Sequence, residues 1–269
     1  MKQQKDVFMT LLTGLGAALG IITYFLCTFL FHKYETIGAL SIFGLAMIFR
    51  VIGYFFDLDG TLVDSIEDLA LSTNILMKEN HFPTYDLDTY KQFVGNGVDK
   101  LIERALPEKY KKDVRKYRAR FDEIYKENCL KHTKPYSGMK ELIDELYHQG
   151  YKLAVVTNKP KVNAVTIVNH LFPNKFMYVF GNTVYQPKKP HPCLVQLAMQ
   201  LMESNKNETL MIGDSNVDIE TAINAKIKSV GCEWGFRGKE ELVQAGATYT
   251  VSKPSDIKDI LKWLQYRDV

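Results

Sequence analysis

Hydrophobic and polar residues follow two different periods along the chain from residue 51 onward. Short apolar runs typical of buried β-strands lie at residues 51–56, 152–156, 177–180, 209–212, 228–231 and 248–251. Amphipathic stretches with helical spacing occur around the later runs, at residues 138–148, 162–170, 193–203, 216–225, 239–245 and 255–264. This alternation predicts an α/β fold in which helices cover both faces of a parallel sheet.

One long region interrupts the alternation. Between residues 65 and 134 there is helical spacing and no convincing strand, and the charged stretch at residues 108–131 predicts a single long helix. The apolar positions of that stretch are Val114, Tyr117, Phe121, Ile124 and Tyr125. The pattern predicts a helical domain at residues 67–135, inserted into a core made of residues 51–66 and 136–269.

The first 50 residues form a third predicted unit, which is strongly apolar. Residues 7–31 contain no charged side chain, and these 25 positions are long enough to cross a bilayer as a helix. A second apolar stretch at residues 37–49 is shorter. We therefore predict an apolar helical extension at residues 1–50 that attaches the protein to a membrane through residues 7–49.

Three arrangements of this extension remain open. A helical hairpin would return the chain to its starting side and leave the catalytic domain in the cytoplasm, at the inner face of the membrane. A single span followed by an interfacial helix would place that domain on the opposite side. Both stretches could also pack as ordinary helices on a soluble body. Lys2 and Lys5 favour a cytoplasmic N-terminus, and we prefer the hairpin because the chemistry argued below belongs in the cytoplasm.

Composition narrows the choice of partners. The formal net charge of +3 is small, and the sequence has no long basic run or basic stripe interleaved with aromatic residues, which argues against nucleic-acid binding. The four cysteines lie far apart in sequence and form no CxxC pair, so neither a zinc site nor a disulfide framework is expected.

Two carboxylates directly follow the first predicted strand. Asp57 and Asp59 precede Gly60, where the chain turns. Ligand sites in open α/β sheets lie at the carboxyl ends of the strands, so both side chains are expected to face one cleft. Such a pair suits a nucleophile and a general acid.

Three further segments bring polar side chains to the same edge of the predicted sheet. A hydroxyl and an amide ahead of a helix N-terminus suit phosphate oxygens. Converging carboxylates repel one another unless a cation lies among them, and hard oxygen ligands beside a phosphate indicate Mg²⁺. The residues concerned are Thr157, Asn158, Lys188, Lys189, Asp214 and Asp218.

This set of motifs resembles the haloacid dehalogenase superfamily, over about residues 51–269. The resemblance implies a Rossmann-like core, an aspartyl-phosphate intermediate, Mg²⁺ as cofactor and a small phosphorylated metabolite as substrate. It implies that Asp57 is the nucleophile and that Asp59 is the acid and base. The implied phosphate-binding residues are Thr157, Asn158 and Lys189, and the implied metal ligands are Asp57, the backbone carbonyl of Asp59, Asp214 and, directly or through another ligand, Asp218.

Shorter segments are similar to the phosphoglycolate phosphatases of that superfamily. They are FVGNGV at residues 93–98, LIERAL at residues 101–106 and VGCEWG at residues 230–235. The resemblance implies that the helical insertion is a small cap and that the substrate is 2-phosphoglycolate. Two other functions stay open, a sugar-phosphate mutase with the same machinery and a non-catalytic membrane-tethered binding protein.

Some neighbouring residues have simpler interpretations. Asp64 and Ser65 are expected to cap the helix that follows them rather than to take part in catalysis. Lys188 is expected to be a solvated neighbour of Lys189.

Overall fold

The structure is a computed structural model, and it describes residues 53–260 of the chain. The apolar stretch at residues 7–49 lies outside these residues, so membrane attachment through it stays a prediction. No helix within the described range has both the length and the apolar character that a membrane span requires.

Parallel strands form the main sheet. In chain order the strands are β1 (Gly53–Phe56), β2 (Val63–Asp64), β3 (Lys134–Pro135), β4 (Lys152–Pro160), β5 (Tyr178–Asn182), β6 (Thr209–Gly213), β7 (Lys228–Cys232) and β8 (Tyr249–Val251). Six of them form one sheet in the order β5–β4–β1–β6–β7–β8, and each neighbouring pair is parallel. The predicted α/β fold with a parallel sheet is therefore confirmed.

Helices fill the connections between the strands. Between β2 and β3 lie α1 (Ile66–Glu79), α2 (Leu87–Phe93), α3 (Val98–Ala105) and α4 (Val114–Asn128). The later helices are α5 (Met139–His148), α6 (Lys161–Leu171), α7 (Cys193–Met202), α8 (Asn216–Ala225) and α9 (Lys239–Gln244). Short 3₁₀ turns occur at Glu108–Asp113, Lys206–Glu208 and Pro254–Asp256.

Side chains of the central strand alternate between two hydrophobic clusters, one on each face of the sheet. Tyr54 and Phe56 belong to the larger cluster, which also contains buried residues of α5 and α6. Phe55, which lies between them, belongs to the smaller cluster, together with buried residues of α7 and α8. Both faces of β1 are thus covered, which explains why its sequence reads as a continuous apolar run.

The helices α1–α4 form an excursion from the core, which we call the four-helix insertion (residues 66–128). Its two ends meet at the antiparallel pair β2–β3. Asp68, in the first turn of α1, accepts hydrogen bonds from the backbone N–H groups of His132 and Thr133 and so ties the ends together. Strands of two residues leave too short a pattern to recognise in a sequence, which is why this pair was not predicted.

The single long helix predicted at residues 108–131 is wrong in its first part. The chain forms a 3₁₀ turn at Glu108–Asp113, and α4 begins only at Val114. No residue of the turn is buried, whereas α4 buries Tyr117, Phe121 and Tyr125. A segment without a buried face gains little packing energy, and an isolated helix of this length is not stable by itself.

Candidate active site

The polar residues predicted to act together meet at the carboxyl ends of β1, β4 and β6. Asp57 directly follows β1, and its backbone N–H donates to the carbonyl of Ile212 in β6 at 2.8 Å. Asp214 directly follows β6. This backbone contact between the two strand ends therefore fixes Asp57 and Asp214, which are distant in sequence, relative to each other.

The Lys189 ammonium contacts two carboxylates. Its Nζ lies 2.9 Å from Oδ1 of Asp57 and 2.6 Å from Oδ1 of Asp218. The same Asp57 oxygen accepts a hydrogen bond from the Leu58 N–H at 2.7 Å. All three charged side chains are buried. Burial raises the pKa of Asp57 to about 6, Lys189 acts against this shift, and the negative charge of Asp218 adds to it.

Asp214 completes an acidic cluster with Asp57 and Asp218. Its Oδ1 accepts a hydrogen bond from the Thr61 hydroxyl at 3.0 Å, and its Oδ2 accepts one from the Phe236 N–H at 2.8 Å. One carboxylate oxygen from each of the three aspartates lies within 4.8 Å of the others. Burial, together with the charges of Asp218 and Asp57, raises the pKa of Asp214 well above its ordinary value.

The donor set of this cluster fits a divalent cation. Among the described residues, the cluster has three buried carboxylates, and the one ammonium that contacts them is that of Lys189. When all three carboxylates are ionised, the cluster therefore has an excess of negative charge. Burial is the main cause of the raised pKa values of Asp57 and Asp214, and this excess adds to it, because nearby like charges disfavour ionisation. Mg²⁺ prefers such hard oxygen ligands and would balance the charge. Asp57, Asp214 and Asp218 are therefore the described residues suited to hold it.

Asp218 also has a second role, in orienting its neighbours. Its Oδ1 accepts a hydrogen bond from the Lys189 ammonium. Its Oδ2 accepts hydrogen bonds from the backbone N–H of Ser215 at 3.2 Å and from the hydroxyl of Ser215 at 2.7 Å. Ser215 and Asp218 form a capping box at the start of α8. Asp218 thus holds both Lys189 and the loop that carries Asp214, whether or not it touches a metal directly.

Asp59 lies apart from the acidic cluster. Its two carboxylate oxygens accept hydrogen bonds from Nζ of Lys159 at 2.9 and 3.0 Å, and Oδ1 also accepts one from the Ser65 hydroxyl at 2.6 Å. Ser65 makes no side-chain cap to α1, so the capping role predicted for it is wrong. The side chain of Asp59 is therefore oriented by two neighbours, and metal binding by its backbone carbonyl stays a prediction.

The end of β4 supplies three consecutive residues to the site, Thr157, Asn158 and Lys159. Here its pairing with β5 becomes irregular, which re-aims side chains that a regular strand would point to opposite faces. Thr157 hydrogen-bonds with Asp57. The Asn158 amide donates to the Lys189 carbonyl at 3.0 Å and accepts from the Lys189 N–H at 2.8 Å. Asn158 therefore fixes the backbone of Lys189, and phosphate contacts by Thr157, Asn158 and Lys189 stay predictions.

The four-helix insertion covers the site, and a pocket lies between it and the sheet. The sheet side of the pocket is polar and charged, whereas the insertion side is mostly apolar. A pocket with these two sides suits a small molecule with one strongly anionic end. The lining residues are Asp57, Asp59, Thr157, Asn158 and Lys159 on the sheet side and Leu69, Val94, Gly95, Gly97, Val98 and Leu101 on the insertion side.

Two basic side chains of the core contact the insertion beside this pocket. Arg237 donates to the Val94 carbonyl at 2.9 Å and to the Gln92 side-chain oxygen at 2.7 Å. The Nζ of Lys188 lies 3.1 Å from a carboxylate oxygen of Asp99 in α3. The prediction that Lys188 is only a solvated neighbour of Lys189 is therefore wrong, because it bridges the core and the insertion.

Sequence reasoning missed Lys159 and Tyr125 as members of the site. The Lys159 ammonium donates to the Tyr125 hydroxyl at 2.7 Å, and both side chains are buried. The position of Lys159 was a signal that could have identified it, because it directly follows the polar residues Thr157 and Asn158 at the end of a buried strand. Tyr125 gave no such signal, because it shares the apolar stripe of α4 with Phe121.

Known proteins resemble this chain over most of its length. A model of the haloacid dehalogenase-like hydrolases matches residues 54–232. The phosphoglycolate phosphatase of Colwellia psychrerythraea is 37% identical over 202 residues, which cover 71% of this chain and 88% of the relative. That of Vibrio parahaemolyticus is 32% identical over 214 residues, which cover 77% of this chain and 94% of the relative.

Solved structures share the fold as well. A crystal structure described as a predicted phosphoglycolate phosphatase from Haemophilus somnus has a TM-score of 0.72 at 30% identity, over 78% of this chain and 98% of that chain. A predicted phosphatase from Clostridium acetobutylicum has a TM-score of 0.70 at 27% identity, over 79% and 99%. The residues matched by the family model include the acidic cluster, Lys159 and Lys189.

Proposed function

The chain belongs to the haloacid dehalogenase-like hydrolase family and is a phosphoric monoester hydrolase, and on that premise we propose that it is a Mg²⁺-dependent phosphatase for small phosphate monoesters. The observation that carries this proposal is the buried acidic cluster at the end of β1, in which Lys189 contacts Asp57. Such a cluster can bring a carboxylate nucleophile, a cation and a phosphate group together.

Asp57 is the proposed nucleophile, and the first step forms an aspartyl-phosphate. A carboxylate oxygen of Asp57 bonds to phosphorus while the bond from phosphorus to the ester oxygen of the substrate breaks. The ester oxygen takes a proton from the carboxylic acid of Asp59, so that the leaving group departs as an alcohol rather than as an alkoxide. Lys189 lowers the repulsion between Asp57 and the phosphate as they approach each other.

Water removes the phosphoryl group in the second step. Asp59, now a carboxylate, takes a proton from a water molecule, whose oxygen bonds to phosphorus. The bond between phosphorus and Asp57 breaks, which releases inorganic phosphate and restores the Asp57 carboxylate. Lys159 and Ser65, which hold the Asp59 side chain, keep it in place for both proton transfers.

Asp57, Asp214 and Asp218 would hold the Mg²⁺ ion, together with the backbone carbonyl of Asp59. A bound ion would supply positive charge that offsets the negative charges of the phosphate and the carboxylates. Thr61 orients Asp214 for this role through its hydrogen bond to Oδ1.

We infer that the substrate is 2-phosphoglycolate and that the four-helix insertion acts as the cap that selects it. Two observations support this choice. Relatives named phosphoglycolate phosphatase are 32% and 37% identical to this chain over most of its length. The pocket combines a polar side, where a phosphate would meet Asp57 and Thr157, with an insertion side that is mostly apolar and contains Gly95 and Gly97.

A phosphate-release assay over small phosphate monoesters, with and without Mg²⁺, tests the proposal. We expect the highest kcat/KM with 2-phosphoglycolate and no release without Mg²⁺. Asp57→Asn should abolish release while the circular dichroism spectrum stays that of the parent. Asp64→Asn is the matched control, because Asp64 lies nearby but accepts a hydrogen bond from the Ile66 N–H, and it should keep its activity. Hydrolysis of p-nitrophenyl phosphate by Asp57→Asn would exclude Asp57 as the nucleophile.

A further inference from the structure

One hydroxyl of the four-helix insertion reaches the catalytic side of the core. Tyr125 lies on α4, and its hydroxyl oxygen accepts a hydrogen bond from Nζ of Lys159 at 2.7 Å. The Tyr125 ring stacks on Phe121, with ring centroids 5.4 Å apart and an interplanar angle of 10°. The Tyr125 side chain is completely buried, so this contact is shielded from solvent.

The contact matters because the buried Lys159 ammonium has few hydrogen-bond acceptors. An ammonium group has three N–H donors and no acceptor. The described partners of Lys159 Nζ are the two carboxylate oxygens of Asp59 and the hydroxyl of Tyr125. While Asp59 is a carboxylate, three acceptor atoms thus match three donors; when Asp59 carries the proton for the leaving group, its other oxygen and the Tyr125 hydroxyl remain as acceptors. These acceptors come from two parts of the chain, the loop after β1 and the insertion.

We propose that Tyr125 is a positioning residue, which fixes Lys159 and through it the carboxyl group of Asp59 when the insertion lies over the site. The inference rests on the proposed function, in which Asp59 protonates the leaving group. Without the hydroxyl, one N–H of a buried ammonium has no acceptor, and Lys159 turns away from its symmetric contact with Asp59. The proton of Asp59 is then delivered from a less favourable position.

This role predicts an effect that depends on the leaving group. The leaving group of 2-phosphoglycolate is an alkoxide, which needs a proton as it departs. The leaving group of p-nitrophenyl phosphate is p-nitrophenolate, which is stable without one. The value of kcat/KM reports the steps up to departure of the leaving group, so it separates this protonation from the later attack of water. A residue that only stabilised the packing of α4 would affect both substrates equally.

The test compares Tyr125→Phe with the parent enzyme on both substrates, in the presence of Mg²⁺. We expect kcat/KM for 2-phosphoglycolate to fall about 10- to 100-fold, as for partial loss of general acid catalysis, and kcat/KM for p-nitrophenyl phosphate to change less than about twofold. Tyr90→Phe is the matched control. Tyr90 is also a buried tyrosine of the insertion, and its hydroxyl donates to Asn74 at 2.7 Å instead of contacting Lys159. It should show no difference between the substrates.

Asp59→Asn, measured in parallel, separates this inference from the proposed function. If Asp59→Asn slows both substrates equally, the acid role of Asp59 fails and the inference fails with it. If Asp59→Asn is selective for 2-phosphoglycolate but Tyr125→Phe is not, the role of Tyr125 is overturned and the acid role of Asp59 stands. The ratio of the two kcat/KM values does not depend on the folded fraction, so a partly unfolded preparation still decides the question.

Discussion

Gly60 lies so close to Asp214 that a Cβ atom on Gly60 would be 2.3 Å from Oδ2 and 2.6 Å from Cγ of Asp214. The φ angle of Gly60 is also +86°, in the left-handed region that side chains with a Cβ rarely adopt. The residue after Asp59 must therefore be glycine for two separate reasons, the turn of the chain and the space beside the acidic cluster.

Gly60→Ala should reduce activity far more than it reduces stability. The added methyl group must displace Asp214, and a shift of about 1 Å in a catalytic site lowers the rate by roughly 100-fold. Gly150→Ala is the matched control, because Gly150 has a φ of +80° and a Cβ there would meet no heavy atom within 4 Å apart from its chain neighbours. Both variants should lose about 1–2 kcal/mol in the free energy of unfolding from backbone strain, and Gly60→Ala should lose more because its methyl group also displaces Asp214. Equal kcat values for the two variants would contradict the assignment of Asp214 to the metal site.

Mg²⁺ should raise the melting temperature of the parent protein and leave that of Asp214→Asn nearly unchanged. A cation that binds only the folded state at 100 times its Kd stabilises that state by about 2.7 kcal/mol. Differential scanning fluorimetry with and without Mg²⁺ measures the shift. Asp144→Asn is the control, since Asp144 is an exposed partner of Lys175 and should keep the full shift. Without Mg²⁺, Asp214→Asn should be at least as stable as the parent, because it removes one charge from a crowded cluster.

Arg237→Gln should raise KM about tenfold and change kcat little. Arg237 belongs to the core and donates to Gln92 and Val94 of the insertion, so its loss should weaken the contact that holds the insertion over the pocket. Tenfold corresponds to about 1.4 kcal/mol, in the range of the hydrogen bonds lost. Arg120→Gln is the control, since Arg120 pairs with Glu79 and Glu123 at an exposed site of the insertion. A KM equal to that of Arg120→Gln would contradict the role of Arg237.

Asp68→Asn should lower stability and change its dependence on pH. Burial acts to raise the pKa of Asp68, but hydrogen bonds from Thr133 and His132 outweigh it and hold this pKa below its ordinary value. A carboxyl group with a lowered pKa stabilises the folded state at neutral pH, and this contribution is lost as the pH falls below about 4.

Urea denaturation between pH 7 and pH 3 checks the role of Asp68. We expect Asp68→Asn to lose about 1–3 kcal/mol at pH 7, the cost of hydrogen bonds to a charged group, and to approach the parent at low pH. Asp88→Asn, which alters an exposed carboxylate on α2, should follow the parent curve. Parallel curves for the parent and Asp68→Asn would show that the charge of Asp68 contributes nothing.

The sheet and the residues at its strand ends were predictable because both follow from local patterns. β1 and β6 are short apolar runs, and polar residues directly follow them. The carboxyl ends of parallel strands must lie at one edge, so Asp57 and Asp214 had to meet once the sheet was recognised. Residues that directly follow neighbouring parallel strands are therefore close in space even when they are distant in sequence.

The contacts made by the insertion were not predictable in the same way. Tyr125 and Arg237 act across the boundary between insertion and core, and their partners depend on how the insertion lies over the sheet. Hydrophobic periodicity identifies the buried face of α4 but does not say which polar atom that face meets. For this reason the sequence identifies Tyr125 only as an apolar position of a helix and gives Lys159 no role.

The pairing of β2 with β3 has a consequence for how new specificities arise in such proteins. The chain leaves and re-enters the core at adjacent points, so recombination at these two junctions would exchange the whole insertion without altering the order of the core strands. Descendants could acquire a different substrate in one genetic event. The contact between Tyr125 and Lys159 limits this freedom, since an imported segment would have to bring its own acceptor for the buried ammonium.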